Sequence, residues 1–194
     1  MSKIKTAYEM ALERFKAREE VPQAEIDRME YIPVGKGLAA NFLKEANYDL
    51  TSEINKYPAA FKEYLIEGAQ ETLLNNISLP AEEETIKTNR KSMQGLLEIK
   101  RNKQAINAVY SQMEHLFQYY TQTLAQTYRQ FKESFTAKIN DTVKMMEQRT
   151  GTKVKADPEK QPGFREEWMK HLGRLNNQYE TALAEHKEKL RRIN

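Results

Sequence analysis

The feature that most constrains the fold is a proline-free stretch, between Pro80 and Pro158, that carries an apolar stripe at helical spacing. Eleven steps of three or four residues lead along this stripe and cover 40 residues. The mean step is close to the repeat of a straight α-helix. The stripe consists of Ile106, Tyr110, Met113, Phe117, Tyr120, Leu124, Tyr128, Phe131, Phe135, Ile139, Thr142 and Met146. It predicts a long helix with one ridge buried against other helices.

A second stripe of the same kind occupies the C-terminal region. It consists of Phe164, Trp168, Leu172, Leu175, Tyr179, Leu183, His186, Leu190 and Ile193. Two straight stripes joined by a polar loop are typical of an antiparallel helical hairpin. We therefore expect a central helix over 80–149, a loop over 150–163 and a C-terminal helix over 164–193. Gly95, the interior breaker of the central helix, predicts a bend near it or two consecutive helices.

Shorter helices are predicted in residues 1–79, because Pro and Gly interrupt the helical spacing there. A helix over 3–20 is expected to end at Pro22, and YIPVGKG at 31–37 is predicted to be a loop. These short helices are expected to pack on the start of the central helix. No strand-like alternation occurs in the sequence. The predicted fold is all-α, an elongated helical bundle with a long central helix and an antiparallel C-terminal hairpin. A chain of this length is expected to form one structural unit.

Composition limits the classes of protein that fit. The chain has no Cys, which excludes disulfides, thiolate catalysis and zinc–thiolate sites. No uninterrupted apolar run suits a transmembrane helix, and the N-terminus lacks a signal-peptide pattern, so we expect a cytoplasmic protein. The net charge of +3 is too small for a dedicated nucleic-acid binder, so nucleic acid is an improbable partner. The opening KIKTAYEMALERF is similar to the first helix of small helical proteins of bacteria, which implies no function.

The aromatic side chains of the long stripe are predicted to form a helix–helix interface rather than a base-stacking surface or a cofactor site. Burial of several Phe and Tyr rings explains them without a ligand. The interface is predicted to comprise Ile106, Tyr110, Met113, Phe117, Tyr120, Leu124, Tyr128, Phe131, Phe135, Ile139, Trp168, Leu172, Leu175 and Tyr179. A C-terminal helix of about 45 Å cannot cover a central helix of about 105 Å. We therefore expect a homodimer, although the N-terminal helices are an alternative cover.

Two groups of basic residues are candidate anion contacts. Lys36 and Gly37 precede an expected helix N-terminus, where free amides can bind a phosphate, but the sequence around them does not match a P-loop. Lys100, Arg101 and Lys103 form a basic cluster in a stretch where the apolar pattern thins. This cluster could contact nucleic acid or an anionic membrane, or could instead pair with the acidic N-terminal part.

Metal binding and catalysis have little support in the sequence. The three histidines lack the Glu-x-x-His pattern of di-iron bundles. Glu167 and His171 are four residues apart and could hold a metal, but an ordinary surface pair is the simpler interpretation. The serines have no G-x-S-x-G context and no His and Asp in the sequence order of a recognisable catalytic triad. We predict no catalytic residue, no cofactor and no metal, and hence no enzyme.

The favoured function is a structural or interaction protein, a scaffold or adaptor that acts through helix–helix contacts with a protein partner or with itself. Two alternatives stay open. One is a nucleic-acid or anionic-surface binder that uses the basic patches. The other is a helical-bundle enzyme or small-ligand binder with a pocket among Tyr and Met side chains.

Overall fold

The computed structural model describes residues 8, 10, 22–150 and 157–193, without the side chains of 141, 142, 145–147, 149 and 150. The six α-helices of 22–150 and 157–193 are α1 (Gln23–Lys44), α2 (Leu50–Asn55), α3 (Lys62–Asn75), α4 (Glu83–Ile99), α5 (Lys103–Thr150) and α6 (Phe164–Arg192). Short 3₁₀ turns at Ala59–Phe61 and Pro158–Lys160 precede α3 and α6. The all-α prediction is confirmed. Most of the helix predicted over 3–20, and part of the loop predicted over 150–163, lie outside the described residues.

Helices α1 and α3 cross at two glycines. A Cβ atom on Gly35 would lie 2.1 Å from the carbonyl oxygen of Leu65, and one on Gly68 would lie 2.1 Å from the carbonyl oxygen of Ile32. Each helix therefore touches the backbone of the other, which only glycine permits at this distance. Helices α1 to α4 pack around this crossing. These four helices, residues 23–99, are called the base below.

The loop predicted over 31–37 is wrong, because α1 continues through it. Pro33 lies inside the helix, where the missing N–H leaves the Met29 carbonyl without its helical partner. Pro33 is exposed, so water can reach that carbonyl. Packing of Gly35 against α3 outweighs the cost of the proline, which is about 3 kcal/mol in an isolated helix.

The long central helix is divided, but not near Gly95. Helix α4 runs through Gly95, where a Cβ would lie 2.8 Å from the Phe42 ring, so the glycine serves close packing rather than a bend. The break comes at Lys100, whose backbone is extended. Its buried ammonium donates to the carbonyl oxygen of Ile193, and this bond ties the corner to the end of α6. Asn102 then accepts a hydrogen bond from the Ala105 amide, 3.0 Å away, and starts α5.

Helix α6 folds back antiparallel along α5. Near the base, the Tyr120 hydroxyl donates to Asn176, at 2.9 Å. Further out, Tyr128 lies edge-on to Trp168, with ring centroids 4.9 Å apart. Helix α5 has 48 residues and is about 72 Å long, well beyond the diameter of about 40 Å of a compact chain of this size. The outer part of the hairpin, residues 124–150 and 157–172, is called the distal arm below.

The structure places the residues of the predicted helix–helix interface in the contact between α5 and its neighbours within one chain. Buried are Ile106, Tyr110, Met113, Tyr120, Phe131, Phe135 and Leu175. Half-buried are Phe117, Leu124, Tyr128, Ile139, Trp168, Leu172 and Tyr179. Since α6 already occupies this ridge over most of its described length, a second subunit is not needed to cover it.

Acidification is expected to loosen the distal arm. Glu159 accepts hydrogen bonds from Lys132 and from the Tyr128 hydroxyl, and the bond from Lys132 holds the pKa of Glu159 below its ordinary value of 4.5. Because the pKa is lower in the folded state, the stabilisation is complete above pH 4.5 and is lost as the pH falls through the folded value. Fluorescence of Trp168, which contacts Tyr128, should change in that range.

A Glu159→Gln variant should show the altered fluorescence already at neutral pH and lose the acid step. Glu188→Gln, in α6 near the base and far from the 3₁₀ turn that contains Glu159, should keep the wild-type profile. An unchanged acid step in Glu159→Gln would contradict the assignment.

Candidate functional site

Helices α4 and α5 leave their common corner and diverge, and the space between them is a groove. It has a volume of about 510 Å³, within the range of ligand and peptide sites. We call it the α4–α5 groove. It is lined by Pro80, Ile86, Asn89, Arg90, Met93, Glu114, Phe117, Gln118, Thr121 and Gln122. Two further hollows are each lined by a single helix, so they lack a second wall.

The inner end of the groove is closed by a buried hydrogen bond. The Tyr110 hydroxyl donates to the Met93 carbonyl oxygen at 2.6 Å, across from α5 to α4. Burial raises the pKa of Tyr110, so the hydroxyl stays protonated and remains a donor. Beyond this point α5 follows α6, to which Tyr120 is bonded, and α4 does not. The groove therefore forms because α5 packs on α4 near the corner and on α6 beyond it, and these two helices lie in different directions.

The outer end of the α4 wall is fixed by Asn89. Its side chain is 3% exposed; it accepts from the Ser78 amide at 2.9 Å and donates to the Ser78 carbonyl at 2.7 Å. Both hydrogen-bonding groups of the amide are thus used. This pair of bonds holds the segment that ends in Pro80 against α4, and Pro80 becomes part of the wall.

The groove has an apolar floor with one charge on each wall. Ile86 and Phe117 are half-buried, and Met93 lies between them and the corner. Arg90 on α4 and Glu114 on α5 are exposed, and neither forms an ion pair with another residue in 22–150 or 157–193. Such a surface suits an apolar ridge flanked by charges of both signs.

Lys36 and Gly37, predicted as an anion contact at a helix N-terminus, lie instead in the interior of α1. Their amides are helical and are not free to bind a phosphate. The Lys36 ammonium forms an ion pair with Glu71 of α3, at 2.8 Å. The helix N-terminus that the anion prediction assumed at this position is therefore not present, because α1 continues through it.

The corner between α4 and α5 separates the three basic side chains of the second predicted anion contact. Lys100 is 6% exposed and bonded to Ile193, and burial lowers the pKa of its ammonium. Lys103 donates to the Glu98 carbonyl oxygen at 3.3 Å, and Arg101 is exposed. The three cations do not share one surface, because the turn buries the first.

Glu167 and His171, considered above as a possible metal-binding pair, instead contact residues of α5 in the hairpin. Glu167 lies 3.5 Å from the Lys138 ammonium, and the His171 ring packs on Phe131 with centroids 5.2 Å apart. Within the described ranges, no group of three His, Asp or Glu side chains is placed to hold a metal ion. No helix there is long and apolar enough to cross a membrane.

Comparison with protein families finds a match over most of the chain. Residues 51–192 match DUF6657, a family of unknown function. The chain belongs to this family. The DUF6657 match runs from α2 into the last turn of α6, so it includes both walls of the α4–α5 groove and the distal arm, whereas α1 precedes it. Comparisons with curated proteins and with solved structures find no match.

Proposed function

We propose that this protein is a helical scaffold or adaptor whose α4–α5 groove binds an amphipathic helix of a protein partner. The observation that carries the proposal is the groove itself, with two helical walls, an apolar floor and, on each wall, one charge that pairs with no other residue in the described part of the chain. Docking of an amphipathic helix into an apolar groove is a common mode of peptide recognition. A third helix placed there would cover Ile86 and Phe117 from water.

The dimensions of the groove fit a short helix. The α5 wall extends from Glu114 to Gln122, which corresponds to about 12 Å of helix. Apolar anchors at positions i, i+4 and i+7 of a partner helix span about 10 Å. Because Arg90 and Glu114 lie on opposite walls, the expected partner helix carries acidic residues on one flank and basic residues on the other.

The proposal is tested with a photo-crosslinking amino acid placed in the full chain in its native cell. Gln118 lines the groove and is exposed, so a probe there should form an adduct with one partner protein, at an amphipathic helix. Gln178 is exposed on α6 outside the groove and is the matched control position. Equal adducts from both positions, or no adduct from Gln118, would contradict groove binding.

Charge reversals then test the chemistry. Arg90→Glu and Glu114→Lys should each abolish the Gln118 adduct, since a buried like-charge contact opposes docking. Both residues are exposed, so circular dichroism of the variants should be unchanged. Arg129→Glu, an exposed charge reversal on the distal arm, should leave the adduct intact.

A further inference from the structure

Helix α1 has a second apolar face, opposite to the one that packs on α3. We call it the α1 open face. It consists of Ile26, Met29, Pro33, Gly37 and Ala40, which repeat at helical spacing. Ile26 is 44% exposed and Met29 71% exposed, values that are high for large apolar side chains. The face is therefore an apolar surface that no residue of 22–150 or 157–193 covers.

The two halves of the α1 open face differ in the size of their side chains. Its first half carries the large side chains of Ile26 and Met29, and its second half carries Gly37 and Ala40. Gly37 has no side chain, and a Cβ there would meet nothing within 4 Å, so the helix surface between Pro33 and Ala40 is low and open. This low part is called the hollow below. The positions are also symmetric about Pro33, because Met29 and Gly37 each lie four residues from it.

We propose that the α1 open face binds the same face of a second copy of this chain, antiparallel, with Pro33 at the twofold axis. In this register Met29 of one copy enters the hollow bordered by Pro33, Gly37 and Ala40 of the other. Ile26 of the same copy enters the next gap between side chains on the facing helix. A twofold pair makes each contact twice, which is the usual arrangement of a homodimer. Knobs that fit between four residues of a facing helix are the standard packing of paired helices.

The charges of α1 favour the antiparallel direction. The first half carries Glu25, Asp27 and Glu30. Its one cation, Arg28, pairs with Glu67 of α3. The second half carries Lys44 and also Lys36, which pairs with Glu71. An antiparallel pair sets the acidic half of one helix against the basic half of the other, whereas a parallel pair sets like against like. The two helix dipoles also oppose each other only in the antiparallel pair.

The α1 open face shares no residue with the α4–α5 groove, so the proposed dimer is independent of the proposed function. Either site can therefore fail its test while the other stands. A dimer of this kind carries two grooves, so it binds a partner with two helices more tightly than a single chain does.

The first test is the mass of the full chain in solution, by light scattering at concentrations on the order of 100 µM. The wild type should have twice the chain mass of 22.7 kDa. Met29→Glu removes the apolar knob and Gly37→Met fills the hollow, and both variants should be monomers with unchanged helix content. Met169→Glu, at an exposed apolar position of α6, should remain a dimer. A monomeric wild type, or a dimer that survives Met29→Glu, overturns the proposal.

The second test concerns the register, and uses the absence of natural cysteine. Pro33→Cys places one thiol from each copy at the axis, so mild oxidation should give a covalent dimer. Lys44→Cys should not crosslink, because eleven residues on each side of the axis separate the two thiols by about 33 Å. Crosslinking at Lys44 would indicate a parallel pair, and failure at Pro33 would exclude this register; either result overturns the proposal.

Discussion

Replacing Gly35 with Ala is expected to destabilise the protein by about 3 kcal/mol or more. The new Cβ would lie 2.1 Å from the Leu65 carbonyl oxygen, far inside van der Waals contact, and a backbone atom cannot rotate away as a side chain can. Helices α1 and α3 would have to separate along their length. Gly68→Ala should have a similar effect, because its Cβ meets the Ile32 carbonyl oxygen. Urea unfolding followed by circular dichroism measures the loss.

Gly173→Ala, in α6, is the matched control, because Gly37 belongs to the α1 open face. Its Cβ would meet no atom within 4 Å, and Ala has the higher helix propensity by about 1 kcal/mol. This variant should therefore be as stable as the wild type or more stable. Equal stabilities of Gly35→Ala and Gly173→Ala would mean that α1 and α3 do not cross at the glycines.

Phe131→Ala is expected to cost about 3–5 kcal/mol, the usual loss for removal of a buried ring. The ring is 5% exposed and packs on Phe135, Phe164, Trp168 and His171. These contacts all belong to α5 and α6, so the distal arm should open before the base does. Fluorescence of Trp168, the one tryptophan of the chain, reports this opening directly.

Tyr119→Ala serves as the control for the loss of a ring from α5. Tyr119 is 65% exposed, so its removal should leave both the urea midpoint and the Trp168 emission unchanged. A stable, unchanged arm in Phe131→Ala would show that the aromatic cluster does not hold α6 on α5.

The hairpin could be predicted from sequence because its signal is repeated many times. Stripes that begin at Ile106 and Phe164 each continue through several turns, so no single residue decides the assignment. The loop predicted over 31–37 failed for the opposite reason. Pro33, Gly35 and Gly37 argued against a helix, and the close contact of Gly35 with α3, which outweighs them, is a tertiary interaction with no local signature.

The α4–α5 groove could not be predicted from any motif. Its corner depends on the bond between Lys100 and Ile193, which are 93 positions apart. Lys100 looked like one of three neighbouring cations, and nothing local distinguishes a buried lysine from exposed ones. Asn89 was the available signal, since a polar residue between Ile86 and Met93 interrupts an apolar pattern and so suggests a buried structural hydrogen bond.

Helix α6 folds back on α5 of its own chain and occupies the long apolar ridge, whereas the α4–α5 groove and the α1 open face lie outside this contact. Spin labels on Tyr119→Cys and Gln178→Cys in one chain, diluted with unlabelled protein, measure this directly. The structure predicts a separation of about 10–25 Å, since paired helices lie 8–10 Å apart. A separation above about 50 Å, or a short distance that disappears on dilution, would contradict it.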